Sequence, residues 1–539
     1  MDETLINTAA VVLITVLLVR LSYLWLLPKP IPKIPHNPVT SIWGDIPAFT
    51  HDKKNGLKLF SSFVEDMVRI YGPISQILLA RHCIVILADR EESERIALGG
   101  KITDTSERFR STIATVLPNS QLSLPANETW KKHRRLAGPS MSKRYLERMS
   151  GRITFCADEL VRLWKAKCIL VGSSAFDVDL DLHLATMDSI INIALGDSTG
   201  CIKSAYGALP STYSDSNNIA HLPHAEPPTL YIAGKEMGKG VQRSLQSALP
   251  SLYTWLFTYT SPTWWNNYNF LVSFFTNAIT RAREREAELG KTGQGLSTNA
   301  DCVVDMIAQR EILEGAETLG DRDILDELIT YFFAGQDTTA TALSWLVKYL
   351  PMDPHIQRRL YDEMCAVFGA DTGSNEALNF DLLDDPERVP ILEAVVAETM
   401  RCAAVGAITG RQLLNDEVIL GRFVPKGTHI FLALEMMSKD VSSWGSDAGE
   451  WRPTRWLTQD GAFNRSAGPS FPFGMGQRSC FGQRLAMLQL KTFLAIMSRA
   501  FFFKPVPPEV DTWEAVELVS RRPKMCYISL ERWDSKNDS

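Results

Sequence analysis

Cysteine is scarce in this sequence. Its nine cysteines among 539 residues are odd in number and fall without paired spacing, at 83, 156, 168, 201, 302, 365, 402, 480 and 526. That pattern excludes a disulfide framework and points to reduced thiols. An excess of positive charge is missing too: 56 basic against 62 acidic residues leave a formal charge of −6, with a sequence pI near 5.9. A mildly acidic chain carries no global electrostatic footprint for nucleic acid. Internal repeats and low-complexity linkers are also lacking. What remains is ordinary globular material, 45% hydrophobic, 22% charged and 9% aromatic. Such a composition rules out a mainly disordered or collagen-like chain. The length allows three or four domains at about 150 residues each, or one large α-rich unit.

Long apolar runs are rare, and one stands out. Ala9 to Leu27 is apolar apart from Thr15, Arg20, Ser22 and the Tyr23 hydroxyl, close to the roughly 20 residues that span a bilayer as a helix. Asp2 and Glu3 precede it, where a cleaved signal peptide would be basic. Lys29 and Lys33 follow it, in a connector stiffened by Pro28, Pro30, Pro32 and Pro35. Positive residues stay cytoplasmic. The expectation is therefore a short lumenal segment at 1–8, a transmembrane helix at 9–27, a proline-rich connector at 28–39 and one catalytic domain at 40–539 facing the cytosol. Arg20 can snorkel to the interface. The alternative is a buried core helix. With that topology the acceptor-like triplets Asn127-Glu128-Thr129 and Asn464-Arg465-Ser466 are chance matches.

Short β-rich runs at Ile74 to Leu79 and Cys83 to Ala88 precede a chain dominated by helical periodicity. Residues 201–228 and Gly290 to Asn299 read as loops, the first exposed and mobile. Helices continue to about 403, with short strands near 417–433 and 526–531. The fold class is mainly α with a small β component.

Four short stretches carry chemistry. Phe473-Gly474-Met475-Gly476-Gln477-Arg478-Ser479-Cys480-Phe481-Gly482 combines three glycines, a cysteine and an apolar rim, a tight loop whose backbone can approach a flat ligand. Cys480 lies just before the helical pattern of Gln483 to Met497. N–H groups at a helix start, with Arg478 nearby, predict a lowered thiol pKa and a thiolate able to ligate a metal. A structural cysteine in a Gly-rich turn is the alternative. Ala334-Gly335-Gln336-Asp337-Thr338-Thr339 lies inside a helical run from about Arg322 to Leu350. Glycine there costs about 1 kcal/mol against alanine, so a packing or functional reason is expected; a Gly kink with Thr bonding back to the preceding turn is one. Glu398 and Arg401 are three apart and share a helix face. Trp130-Lys131-Lys132-His133-Arg134-Arg135 is a basic run that fits a solvated helix face.

In chain order, from 130–135 through 334–339 and 398–401 to 473–482, the four stretches resemble the cytochrome P450 family of haem-thiolate monooxygenases, whose haem loop is F-x-x-G-x-R-x-C-x-G. Phe473, Gly476, Arg478, Cys480 and Gly482 stand at the family positions, with Ala486 where a small residue follows. The resemblance implies the P450 fold and haem b, with Cys480 as axial iron ligand and Phe473, Arg478 and Gly482 around it. It places Ala334 and Gly335 on a long helix crossing the haem, the glycine leaving room for dioxygen. Asp337 and Thr338 become an acid–alcohol pair that passes protons. Glu398 and Arg401 join Arg455 in a buried scaffold network. Trp130, Arg134 and Arg411 meet the haem propionates, which suit the arginine fork. Lys131, Lys132 and Arg135 become a patch that docks an acidic electron donor, and His133 is structural. The family often has prolines after the Glu–Arg pair, whereas this chain reads Cys402 to Ile408 without one.

The implied enzyme is a monooxygenase of the endoplasmic reticulum membrane. It would insert one atom of dioxygen into a small lipophilic substrate, the thiolate favouring O–O cleavage. No GxGxxG-type motif accompanies the four stretches, so electrons from NADPH would come through a separate flavoprotein reductase, with cytochrome b5 as a further donor. Substrate contacts are expected from residues 105–125, 201–230, Phe332, Phe333 and Val405 to Ile408. Terpenoid, polyketide, steroid and fatty-acid skeletons all fit. The chain length and basic helix are similar to fungal secondary-metabolism members. A haem-thiolate isomerase or dehydratase working without a reductase, and a non-catalytic haem binder, are the alternatives; the regular Asp337–Thr338 pair and cysteine loop weigh against both.

Overall fold

Helical periodicity is realised in the computed structural model as a series of long helices joined by short strands. The structure describes residues 3–50, 59–213, 218–223, 225–247, 249–291, 300, 302–314, 319–371, 378–517 and 519–533. Two compact units form. One comprises Met1–Glu107, Ala407–Met437 and Gly474–Arg478; the other comprises Arg108–Gly406, Ser438–Phe473 and Ser479–Ser539.

The first unit is built on a five-stranded sheet in the order Ile74–Leu79, His82–Leu87, His429–Leu432, Thr409–Leu413 and Thr103–Thr105. The first two strands form an antiparallel hairpin, and the second pairs in parallel with His429–Leu432 through Ile84 opposite His429. Ile84, Val85, Ile86 and Leu87 are all buried, as a strand covered on both faces requires. Helix Phe60–Tyr71 packs Phe63, Val64 and Met67 onto Ile77 and Ile86. The N-terminal run forms a 24-residue helix, Glu3–Leu26, with apolar side chains exposed from Val11 to Leu26; Leu13 is 71% accessible and Leu17 54%. Among the described residues no helix is long and apolar enough to cross a membrane; in this one the side chains described without a break run from Ala10 to Leu26. The expected span at 9–27 is thus present as a helix but not established as transmembrane.

The connector after this helix is bound along its length. Gln76, fully buried on the first strand, donates to the carbonyls of Ile31 (2.9 Å) and Ile34 (2.8 Å) and accepts from the Ile31 N–H (2.9 Å). Its own N–H donates to Pro35 O at 2.8 Å. The Arg81 guanidinium lies 4.2 Å from the centre of the Trp25 ring at the helix end.

The second unit is a helical core. Helix Lys143–Val171, helix Asp179–Leu195, helix Asp321–Tyr349, helix Pro390–Ala403 and helix Gln483–Ala500 supply one continuous apolar cluster. Asp179–Leu195 is buried from Asp181 to Leu195, and its acid Asp181 is met by Lys167 (2.6 Å) and the Trp164 indole (3.0 Å). A small sheet in the order Phe501–Lys504, Tyr527–Arg532, Ala175–Asp177 and Ile219–Ala220 closes one side.

Part of the expected loop at 201–228 is helical. Cys201–Gly207 is a helix with Cys201 and Ile202 buried. The cause is distant in sequence: the Asp188 carboxylate accepts the Cys201 and Ile202 N–H groups, both at 3.0 Å, and Gly200 turns the chain in with φ 62. Residues 214–217 and 224 of that stretch lie outside the described residues. In the second expected loop, Gly290 and Lys291 end helix Pro262–Lys291, and 292–299 lie outside the described residues.

Candidate active site

The cysteine loop is shaped by glycines that no other residue could replace. Gly474 and Gly476 have φ of 68° and 74°, a region that L side chains rarely enter. A methyl on Gly476 would stand 2.1 Å from the Ala97 carbonyl oxygen. Arg478 donates to Asp104 at 2.7 Å. Arg411 is buried, at 4% exposure, and donates to Thr409 Oγ1 (2.9 Å) and to the carbonyls of Gly410 (3.2 Å) and Met475 (3.3 Å). Among the described residues it forms no ion pair. Burial and the charge of Arg478 pull its pKa down to about 10. A buried guanidinium in that state suits an anionic group supplied from outside the chain.

The remaining loop residues belong to the second unit. The Cys480 N–H donates to Phe473 O at 2.9 Å, closing the loop, and Gly482 caps helix Gln483–Ala500. The thiol does not have the lowered pKa expected from the helix start. The protein surrounding it withdraws water and raises its pKa, against the pull of the Gly482 N–H and of Arg134. Its surface is nevertheless exposed, so a ligand can reach it.

Trp130 and Arg134 lie on helix Glu128–Ala137, whose start is capped by the Asn127 side chain accepting the Trp130 N–H at 2.9 Å. The Arg134 guanidinium is 5.4 Å from the centre of the Trp130 ring and 4.8 Å from that of Phe481. Its polar contact is Gln121 Oε1 at 3.4 Å, and among the described residues it has no carboxylate partner. Desolvation lowers its pKa. His133, one position before, is buried on Glu327 (2.8 Å), which also accepts the Gln121 N–H (2.7 Å) and Nε2 (2.8 Å). Glu327 and Gln121 carry no local sequence signal, because the contact joins residues about two hundred positions apart. Lys131 pairs with Glu128 at 2.7 Å on the exposed side of the same helix.

Helix Asp321–Tyr349 runs beside the cysteine loop, with Tyr331 edge-on to Phe481 at 5.9 Å between ring centres. It is buried from Ile324 to Phe332 and again from Thr339 to Lys348, and opens between them at Phe333–Thr338, with Ala334 exposed. Thr338 Oγ1 donates to Ala334 O at 2.7 Å, the back-bond of the alternative reading. Asp337, one residue earlier and so turned about 100° around the axis, accepts from Ser520 Oγ at 2.6 Å. It lines a cavity of about 40 Å³ with His183, Tyr231, Lys235, Gln336 and Arg522, room for two or three waters. His183 Nδ1 lies 2.8 Å from Gln336 Nε2 and its Nε2 lies 3.2 Å from Arg522 Nη1, of which a neutral ring accepts from one, and burial lowers its pKa.

Two expectations for this helix change. Phe332 is not open to a ligand, being buried against Phe275 and Gly234, whereas Phe333 is half-buried, lies against Gly238 of helix Thr229–Gln246 and lines the cavity beside Asp337. The missing side chain of Gly335 points to Ile190, whose Cδ1 lies 2.7 Å from where a methyl would stand. The gap is filled by protein. In the expected substrate segment at Val405 to Ile408, Val405 is buried and its carbonyl accepts the Arg521 N–H at 3.0 Å, just after Ala404 leaves the helix with φ 47.

The Glu398 network forms as expected. Glu398 is fully buried and accepts from Arg401 Nε (2.7 Å) and Nη2 (2.8 Å), Arg455 Nε (2.8 Å), the Arg452 N–H (2.9 Å) and the Trp456 indole (2.8 Å).

An exposed thiol at a helix start, an opened stretch on a long buried helix and, in Arg134, a guanidinium with no carboxylate partner among the described residues suit a flat apolar group bearing carboxylates and a thiolate-bound metal. These features define a haem-thiolate oxygenase. The cytochrome P450 family matches residues 35–528, and the chain belongs to it. It is 27% identical to cytochrome P450 monooxygenase TRI13 of Fusarium sporotrichioides, over 96% of this chain and 98% of that one. It is 26% identical to cytochrome P450 monooxygenase GME11363 of Pestalotiopsis microspora, over 97% and 98%. Cytochrome P450 monooxygenase xilC of Penicillium crustosum is 26% identical, over 94% and 93%.

Proposed function

We propose that this oxygenase inserts one oxygen atom into a small lipophilic substrate of fungal secondary metabolism, a terpenoid skeleton being one example. Electrons would arrive from NADPH through a separate flavoprotein reductase, with the enzyme held on the endoplasmic reticulum membrane. The observation that carries the reading is the exposed Cys480 thiol, closed into its loop by Phe473 O and followed by the Gly482 N–H.

Bound haem supplies the oxidising chemistry, its iron held by the Cys480 sulfur and its oxygen chemistry favoured by thiolate donation. The chain's residues do the rest. Arg134, Trp130 and Arg411 would hold the propionates, and Arg478, tied to Asp104, would keep the loop backbone in place. Apolar Ala334 leaves the open stretch of the long helix free for ligands. Asp337 would take protons from water in the cavity beside His183 and Lys235. The Thr338 hydroxyl would receive them once it rotates off Ala334 O. Similarity to three fungal monooxygenases over nearly full length supports the pathway class, and the exposed apolar helix Glu3–Leu26 supports the membrane.

The reduced, carbon-monoxide-bound spectrum tests this reading. The native protein should show a Soret band near 450 nm, as a thiolate-ligated P450 does, and Cys480→Ser should lose it. Haem-loaded native protein without that band would sink the assignment of Cys480. With the band established, lipophilic compounds would be screened with NADPH and a reductase.

A further inference from the structure

Glycine in the middle of a buried helix needs a reason, and at Gly335 the reason lies behind the helix. Helix Asp179–Leu195 presents His183, Thr186 and Ile190 at spacings of three and four, one face of a helix. All three meet the same turn of helix Asp321–Tyr349. Thr186 Oγ1 lies 3.2 Å from Gln336 O, and Gln336 Nε2 donates to His183 O at 3.2 Å. Ile190 is 1% exposed, and a methyl on Gly335 would stand 2.7 Å from its Cδ1 and 2.9 Å from its Cγ1. Contacts that short do not occur between real side chains, so with alanine at 335 the Ile190 side chain would have to shift, at Cγ1 as well as at its free end Cδ1. About 100° round the axis stands Ala334, exposed, with Thr338 one turn on and half-buried.

We infer that Ile190 is a positioning residue for the oxygenase reaction. It occupies the volume that glycine leaves at 335 and so sets how far the Ala334–Thr338 turn stands from the bound haem. Room on the ligand side is then fixed by Ala334, and the glycine serves the contact between the two helices. This rests on the reading that Ala334 and Thr338 face the haem.

The test is a pair of double-mutant cycles on the full-length protein: Gly335→Ala with Ile190→Val, which removes Cδ1, and with Ile190→Ala, which removes Cγ1 as well. Two readouts apply, the C–O stretching frequency and CO association rate of the reduced haem protein, and the thermal midpoint. Gly335→Ala alone should shift the stretch and slow CO association about tenfold, the scale of overpacking a filled core. Both double variants should recover, Ile190→Ala more fully. Ile190→Ala alone, by removing the volume that sets the turn, should lower the thermal midpoint and shift the stretch in the sense opposite to Gly335→Ala. If Gly335→Ala fails to load haem, restored loading in its Ile190→Ala double variant is the expected result. Double variants as impaired as Gly335→Ala, or a Gly335→Ala protein indistinguishable from the native one, would overturn the inference. The failure of the haem reading is separate: the native protein would lack the 450 nm band, and the midpoint cycle would still show whether positions 190 and 335 are coupled.

Discussion

Glu398 shows at the scale of one residue how a common dipeptide spacing becomes a structural keystone. On a surface, a glutamate and an arginine three apart contribute a few tenths of a kcal/mol. Here the carboxylate is fully buried and receives five hydrogen bonds, from Arg401, Arg455, Arg452 and Trp456. Removing it leaves the buried Arg401 guanidinium without a carboxylate and Arg455 with Asp447 alone, a loss of about 3–5 kcal/mol for a broken buried pair. Glu398→Ala should therefore accumulate without haem and melt well below the native protein, while Glu398→Gln, which keeps an acceptor, should lose less. Haem-to-protein absorbance ratios and thermal melts decide it; a fully loaded Glu398→Ala protein would refute the role. The sequence disclosed Glu398, Arg401 and Arg455 because their spacing is a family signature. It could not disclose the two backbone and indole donors, or Glu327 under His133, because those contacts are made by folding alone.

At the scale of one helix, the start of Pro390–Ala403 is held by a carboxyl from another element. Glu363 accepts the Ile391 N–H at 2.8 Å and the Leu392 N–H at 2.9 Å. Burial nevertheless outweighs these bonds and pushes its pKa up to about 7. A carboxyl whose folded pKa lies above its unfolded value, near 4.5, binds its proton more tightly when folded. Its contribution to stability is complete below about 4.5 and is lost as pH rises through about 7, at most about 3 kcal/mol by the size of the shift, less any solvent screening. The thermal midpoint of the native protein should fall between pH 5 and 7.5 relative to that of Glu363→Gln. Parallel midpoint curves would contradict it. Element boundaries were readable at Ile74–Leu79, a short apolar run, and at Pro390–Ala403, where a proline opens the helix. Cys201–Gly207 was not, because its capping acid, Asp188, sits on another helix.

For the whole molecule, the fold class and the order of the motifs were legible, since a mainly helical chain with small sheets and a family match over residues 35–528 follow from local pattern. The division into two units was not, because the chain enters the first of them three times, the last time for Gly474–Arg478 only. Nor was the direction in which Gly335 lacks a side chain, which is a property of how two helices meet. Membrane attachment is a property of the entire protein and is tested on it. Full-length protein should float with lipid vesicles in a density gradient, and protein lacking residues 1–27 should stay at the bottom. Equal flotation of the two would remove the N-terminal helix as the anchor.

The bonds from Gln76 to Ile31, Ile34 and Pro35, with Arg81 resting on Trp25, turn what could have been a tether into a bracket. A tether of this length would let its load swing through all headings; a bracket transmits one. Whatever surface takes up the helix Glu3–Leu26, the sheet that carries Gln76 inherits a fixed bearing towards it.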